Sequence, residues 1–257
     1  MPRIPFYEKI KNREIDISIE ITKMHQLFTN FSDADILFPH LDNKMGCYDA
    51  DEFMNLLERH MDWSSHITAY LDYCDFFLIL EHAAIKHLKW CKVNGFMSRL
   101  TIDYSSVFEG ITFVLDKLDY QIIDNKKDAP FIALKDTVAE EVAGMSEFSD
   151  IKWRVLEYNG HNTSLEDKKA ILSELYKKFE LLRPNLKKTN GKVASKLGEL
   201  IQLVRHSKDE KKESKYAFFY QNEEEWCDKI YDLLLECFLH SENEKVLDEI
   251  VTLEEGK

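Results

Sequence analysis

Apolar residues return at steps of three and four along most of this chain, the spacing of one face of an α-helix. From Glu8 to Phe31 the positions Ile10, Ile17, Ile21, Met24, Leu27, Phe28 and Phe31 predict an amphipathic helix, although Ile15–Ile21 also alternates as a strand would. Ser32 to Asp49 carries aspartates, Pro39 and Gly46 and reads as a loop. Asp51 opens a further helix through Phe53, Leu56, Leu57 and His60, its early acids suited to the positive end of the helix dipole. The longest periodic run, Ser64 to Val93, sets Leu71, Cys74, Leu78, Ile79, Leu80, Ile85 and Leu88 on a broad apolar face. It stops at Asn94-Gly95, where glycine can supply a left-handed cap. Asp103 to Leu118 follows, with Val107, Ile111, Val114, Leu115 and Leu118 in register.

Near residue 120 the period changes. Tyr120–Asp124 and Phe131–Leu134 flank the polar turn Asn125–Asp128 and predict a short hairpin. Helical spacing resumes over Thr137–Met145 and Glu147–Tyr158. Ser164 and Asp167 then form a capping box at the head of a helix that Pro184 is expected to end near Arg183. Val193, Leu197, Leu200, Ile201 and Val204 make another apolar face that runs into the charged segment His206–Lys215. Asn222 with Glu225 opens the last helix, whose face is Trp226, Ile230, Leu233, Leu234, Cys237 and Phe238. No internal repeat is evident, which sets aside a solenoid.

The fold class expected is therefore all-α, two packed helical halves with a minor β-hairpin near residues 120–134. The polar turn Asn94–Arg99 separates an N-terminal helical region, residues 1–94, from a C-terminal helical domain, residues 100–257.

Composition sharpens this picture. Eight glycines and five prolines in 257 residues are too few for the closely spaced turns of a sandwich or barrel. A net charge of −13 repels nucleic acid and anionic membrane at long range. It argues against a binder of double-stranded DNA and requires any RNA contact to come from a local basic patch. Cys47, Cys74, Cys91, Cys227 and Cys237 are odd in number and contain no CxxC pair, as expected of reduced thiols rather than a disulfide frame or zinc ribbon. The N-terminus lacks an apolar leader, and no apolar stretch is long enough to span a bilayer. A cytoplasmic protein without a membrane partner is expected.

Four constellations bear on chemistry. Arg205 and His206, followed by Lys208, stand at the end of an apolar helix where a charged loop begins. A histidine can move a proton at a phosphodiester while a guanidinium braces the anionic phosphorane. The plain alternative is a basic cap on a helix C-terminus. Arg59-His60 with His66, and Arg154 with His161, repeat an arginine–histidine spacing that nine histidines produce by chance. Glu58, Asp62 and His66 step by four, and Glu81, His82, Lys86 and His87 cluster, but the Glu-x-x-His pair of di-iron bundles is missing and exposed helical charge explains both. No phosphate-binding loop or dinucleotide fingerprint occurs, and Cys74 and Cys91 read as core thiols, so no cofactor is expected.

At Arg205 the sequence resembles a family. Leu100–Glu109, Val155–Asn159 and Ile201–His206 resemble segments of an uncharacterised bacterial abortive-infection-like family related to the HEPN superfamily, over residues 100 to 240. The resemblance implies a helical, often dimeric domain that cuts RNA without metal, in a phage-defence or toxin-like protein. It assigns Arg205 to phosphate bracing, His206 to proton transfer and Lys208 to attracting the backbone. The family's closing histidine is replaced here by Glu210, Lys211 and Lys212. Either His206 works alone, or the chain is a non-catalytic acidic helical scaffold that binds a protein partner.

Overall fold

The computed structural model describes residues 16–29, 31–41, 52, 67–124, 130–205 and 217–254. The helix expected over Asp51–His60 lies outside that set, except that Glu52 is helical. The chain forms two compact units, Met1–Lys135 and Asp136–Lys257. The sequence places a boundary at Asn94–Arg99 instead. The residues that follow that turn, including Tyr104, Ile111, Leu115 and Ile132, join the same hydrophobic core as Phe28, Phe77 and Leu78.

In the first unit, α1 (Ile17–Thr29) buries Ile17, Ile21, Met24 and Phe28, the three-and-four stripe that the sequence shows. Phe28 stacks on Tyr73 at 5.7 Å and meets Phe76 edge-on at 5.8 Å, which seats α1 on α3 (Ile67–Asn94). The segment read as a loop contains a helical turn, α2 (Ala34–Leu37), and a 3-10 turn, Phe38–His40. Buried Asp33 accepts hydrogen bonds from Thr101 N (2.9 Å), Thr101 Oγ1 (2.7 Å), Ile102 N (3.2 Å) and Tyr104 Oη (3.2 Å). One carboxylate thus satisfies a cluster of donors in the segment that leads into α4 (Tyr104–Lys117). Asp103 caps that helix by accepting from Ser106 N.

The end of α3 follows from Gly95, at φ +71. Its left-handed turn lets Phe96 N donate to Cys91 O at 2.9 Å, and Phe96 stacks on Trp90 at 5.3 Å. This is a Schellman cap with its apolar contact. Strands β1 (Tyr120–Ile123) and β2 (Phe131–Leu134) form the hairpin that the changed period predicts, pairing antiparallel with Tyr120 opposite Leu134. Asp75 of α3 accepts from Ile132 N at 3.1 Å and ties the hairpin to that helix.

In the second unit Asp136 caps α5 (Thr137–Gly144) through Val138 N and Ala139 N. A 3-10 turn, Ser146–Phe148, and α6 (Lys152–Glu157) follow. Ser164 and Asp167 form the expected capping box, each accepting from the other's backbone N–H at 3.2–3.3 Å, at the head of α7 (Leu165–Arg205). Pro184 does not end this helix. The backbone leaves helical geometry at Asn190 (φ −142, ψ 68), and the chain doubles back there. Gln202 donates to Tyr176 Oη at 3.1 Å, and Gly198 lies against the Arg183 guanidinium. Helix α7 is therefore a hairpin of two arms, with Asn190 Oδ1 accepting from Val193 N at the head of the second. Helix α8 (Glu223–Glu254) packs against it. Beside it, Tyr158 and Tyr231 stack at 3.8 Å with their rings 4° from parallel.

Candidate functional site

Arg205 is the last residue of α7. His206 and Lys208 lie outside the described residues, as do Arg59, His60, Glu58, Asp62 and His66. The described part of α7 therefore reaches Arg205, and the rest of that constellation lies outside the described residues. Arg154 is spent on structure: it pairs with Glu157 at 2.8 Å and Glu174 at 3.6 Å and covers the Trp153 ring at 4.5 Å. Cys74 is fully buried, and burial pushes its thiol well above the ordinary range, which suits a core thiol and not a nucleophile. Among the described residues no group of three or more His, Cys, Asp or Glu side chains could hold a metal ion.

What the structure does assemble lies on α3. The sequence counts Ile85 and Leu88 as core, but they are 39% and 48% exposed. The buried stripe of α3 runs through Leu78, Leu80, Ala83, Ala84, His87 and Cys91 and turns these two outward. They continue into Trp90 (48%), Val93 (83%), Phe96 (61%) and Met97 (91%), an exposed apolar run over the helix end. Lys86, Lys89, Lys92 and Arg99 are interspersed with it, and no acid occurs between His82 and Ile102. Lys89, Lys92 and Arg99 form no ion pair among the described residues. In a chain of net charge −13 this segment is cationic and exposes large apolar side chains at once. The signal was legible as charge sign per window, whereas the apolar period alone led to the opposite reading.

Beside it lies a groove of about 480 Å³ walled by α3, α4 and the hairpin, with Ile85, Phe108, Leu115 and Tyr120 as its apolar lining. Glu81, Asp116 and Asp124 supply its acids, and Lys135 pairs with Asp116. Burial, reinforced by the Asp124 charge, raises the Glu81 carboxyl above the usual carboxylate range. An uncompensated acid in an apolar groove marks a place where a cation would be welcome.

On the other side of α3, His87 Nδ1 meets His40 Nε2 at 3.1 Å and His87 Nε2 meets Cys91 Sγ at 3.3 Å. This chain of polar atoms fastens the Phe38–His40 turn to α3. Burial, then His87 and then Lys86, lowers the basicity of His40.

Comparison of the chain with protein-family models, curated proteins and solved structures finds no match. No described helix is long and apolar enough to cross a membrane.

Proposed function

We propose that this chain is an acidic helical interaction protein that docks a protein partner on the exposed face and end of α3. The observation that carries the reading is the outward apolar run from Ile85 to Met97, set among cations and next to an acid-lined groove. A patch of that kind costs solubility unless a partner covers it. Apolar anchors ringed by charge are what a specific interface requires. Val93, 83% exposed, is the natural position for a photo-crosslinking residue in cells. The expected result is a discrete protein adduct that is absent when the crosslinker replaces the exposed Lys188. Adducts with nucleic acid alone, or with nothing, would end this reading.

The ribonuclease reading keeps one supporting observation: Arg205 is the last described residue of α7, next to the charged segment of the sequence. Under it the chain is a phage-defence or toxin-like protein in which Arg205 braces phosphate, His206 moves the proton and Lys208 attracts RNA. Purified protein then cuts single-stranded RNA without added metal, and the Arg205→Ala, His206→Ala variant does not. Intact RNA after incubation with the wild-type chain removes this reading and leaves the first untouched.

A further inference from the structure

We propose that the exposed stripe of α3 takes a second copy of this chain in antiparallel register, with Glu81 of each copy against Lys92 of the other and Ile85 against Leu88. The inference rests on the interaction reading above and names its partner. A two-fold interface must present a surface complementary to itself. On a helix, Glu81, Ile85, Leu88 and Lys92 fall within about 60° of one another around the axis, so they form one stripe. Glu81 lies as far before the midpoint between Lys86 and His87 as Lys92 lies after it, and Ile85 and Leu88 are placed equally about the same point. An antiparallel pairing centred there joins acid to base twice and closes an apolar seam between them.

The surroundings agree with this register. Val93, Phe96 and Met97 continue past Lys92 and so extend beyond Glu81 of the other copy, where the groove offers Phe108 and Tyr120. Glu109 and Asp124 stand on that side with charge opposite to Lys89 and Arg99. Anionic lipid or RNA would match the cations alone. Neither would use the acids that share the stripe, and a second copy uses both.

Sedimentation velocity of the full chain over a wide concentration range is the test, with a charge-swap cycle. The wild-type chain is expected to dimerise reversibly. Glu81→Lys or Lys92→Glu alone should weaken the dimer at least about tenfold by facing like charges. The double swap should restore it, and mixing the two single variants should give a heterodimer. Glu81 and Lys92 are about 16 Å apart along one helix, so rescue within a single copy is ruled out. If a swap lowers helicity, Leu88→Arg at a half-exposed position takes its place, with the same loss of dimer expected.

A chain that stays monomeric, a dimer indifferent to every substitution, or a double swap as weak as the singles overturns the proposal. The same holds if the chain is monomeric and binds only anionic vesicles or RNA. A monomeric chain whose Val93 crosslinks to a different protein overturns this inference and spares the interaction reading. The absence of any protein adduct removes both.

Discussion

Asp33 shows how far a single side chain can reach beyond what its local sequence reveals. The sequence around it reads as a loop, because its four aspartates, proline and glycine speak only of turn chemistry. The partners that fix its role lie 68 to 71 residues away, and no local spacing announces them. Asp33→Ala would strand several donors at a position with no exposed surface, and we expect it to cost about 3 kcal/mol in urea unfolding. Asp33→Asn, which keeps one acceptor oxygen, should cost less. His40 carries a pH consequence of the opposite kind. Its proton affinity in the folded chain is below the ordinary value of 6.5, so the unfolded chain binds that proton more readily. Stability is then complete above the ordinary histidine value and declines as pH falls below it. Melting temperature measured at pH 7.5 and at pH 5.5 should differ less for His40→Gln than for the wild type. Arg205, His206 and Lys208 stand out in the sequence as candidate chemistry, and of the three only Arg205 falls among the described residues, as the last of α7.

At the scale of elements the sequence performs well wherever a signal is local. The glycine stop of α3, the start of α4 at Asp103, the hairpin and the Ser164–Asp167 box all lie within a few residues of the element they define. Gly95→Ala tests the first: open space surrounds the added methyl, so the cost is purely the positive φ, about 1 kcal/mol in thermal unfolding. Pro184 shows where local reasoning stops. Its side chain is exposed, water can reach the carbonyl it leaves unpaired, and the helix passes through it to turn at Asn190 instead. That turn is decided by packing between two arms, through contacts such as Gln202 with Tyr176, which no proline rule contains. Pro184→Ala should return one hydrogen bond to the first arm and stabilise the chain by about 2 kcal/mol. Ile85 and Leu88 failed for a related reason. A 28-residue helix has more apolar positions than one buried stripe can hold, and the period does not say which are left over.

For the whole molecule, helical class and minor hairpin follow from composition and period, whereas the division into units does not. Asn94–Arg99 has the residues of a boundary, but α4 and the hairpin complete the core of the first unit. The second unit holds its own core, built on Tyr158, Leu175, Phe179, Ala194, Tyr231 and Phe238. Residues 136–257 expressed alone should accordingly keep a helical spectrum and a cooperative melt, and a featureless thermal profile would contradict the separateness of that core. The acid-free end of α3 has one more consequence. With four cations and no acids between His82 and Ile102, the remainder of the chain carries −17 of the total −13. Two copies, each of net charge −13, repel at a distance, so their encounter should be slow in dilute buffer and quicken as added salt shortens the reach of that field, leaving the cationic stripe to act only at close contact.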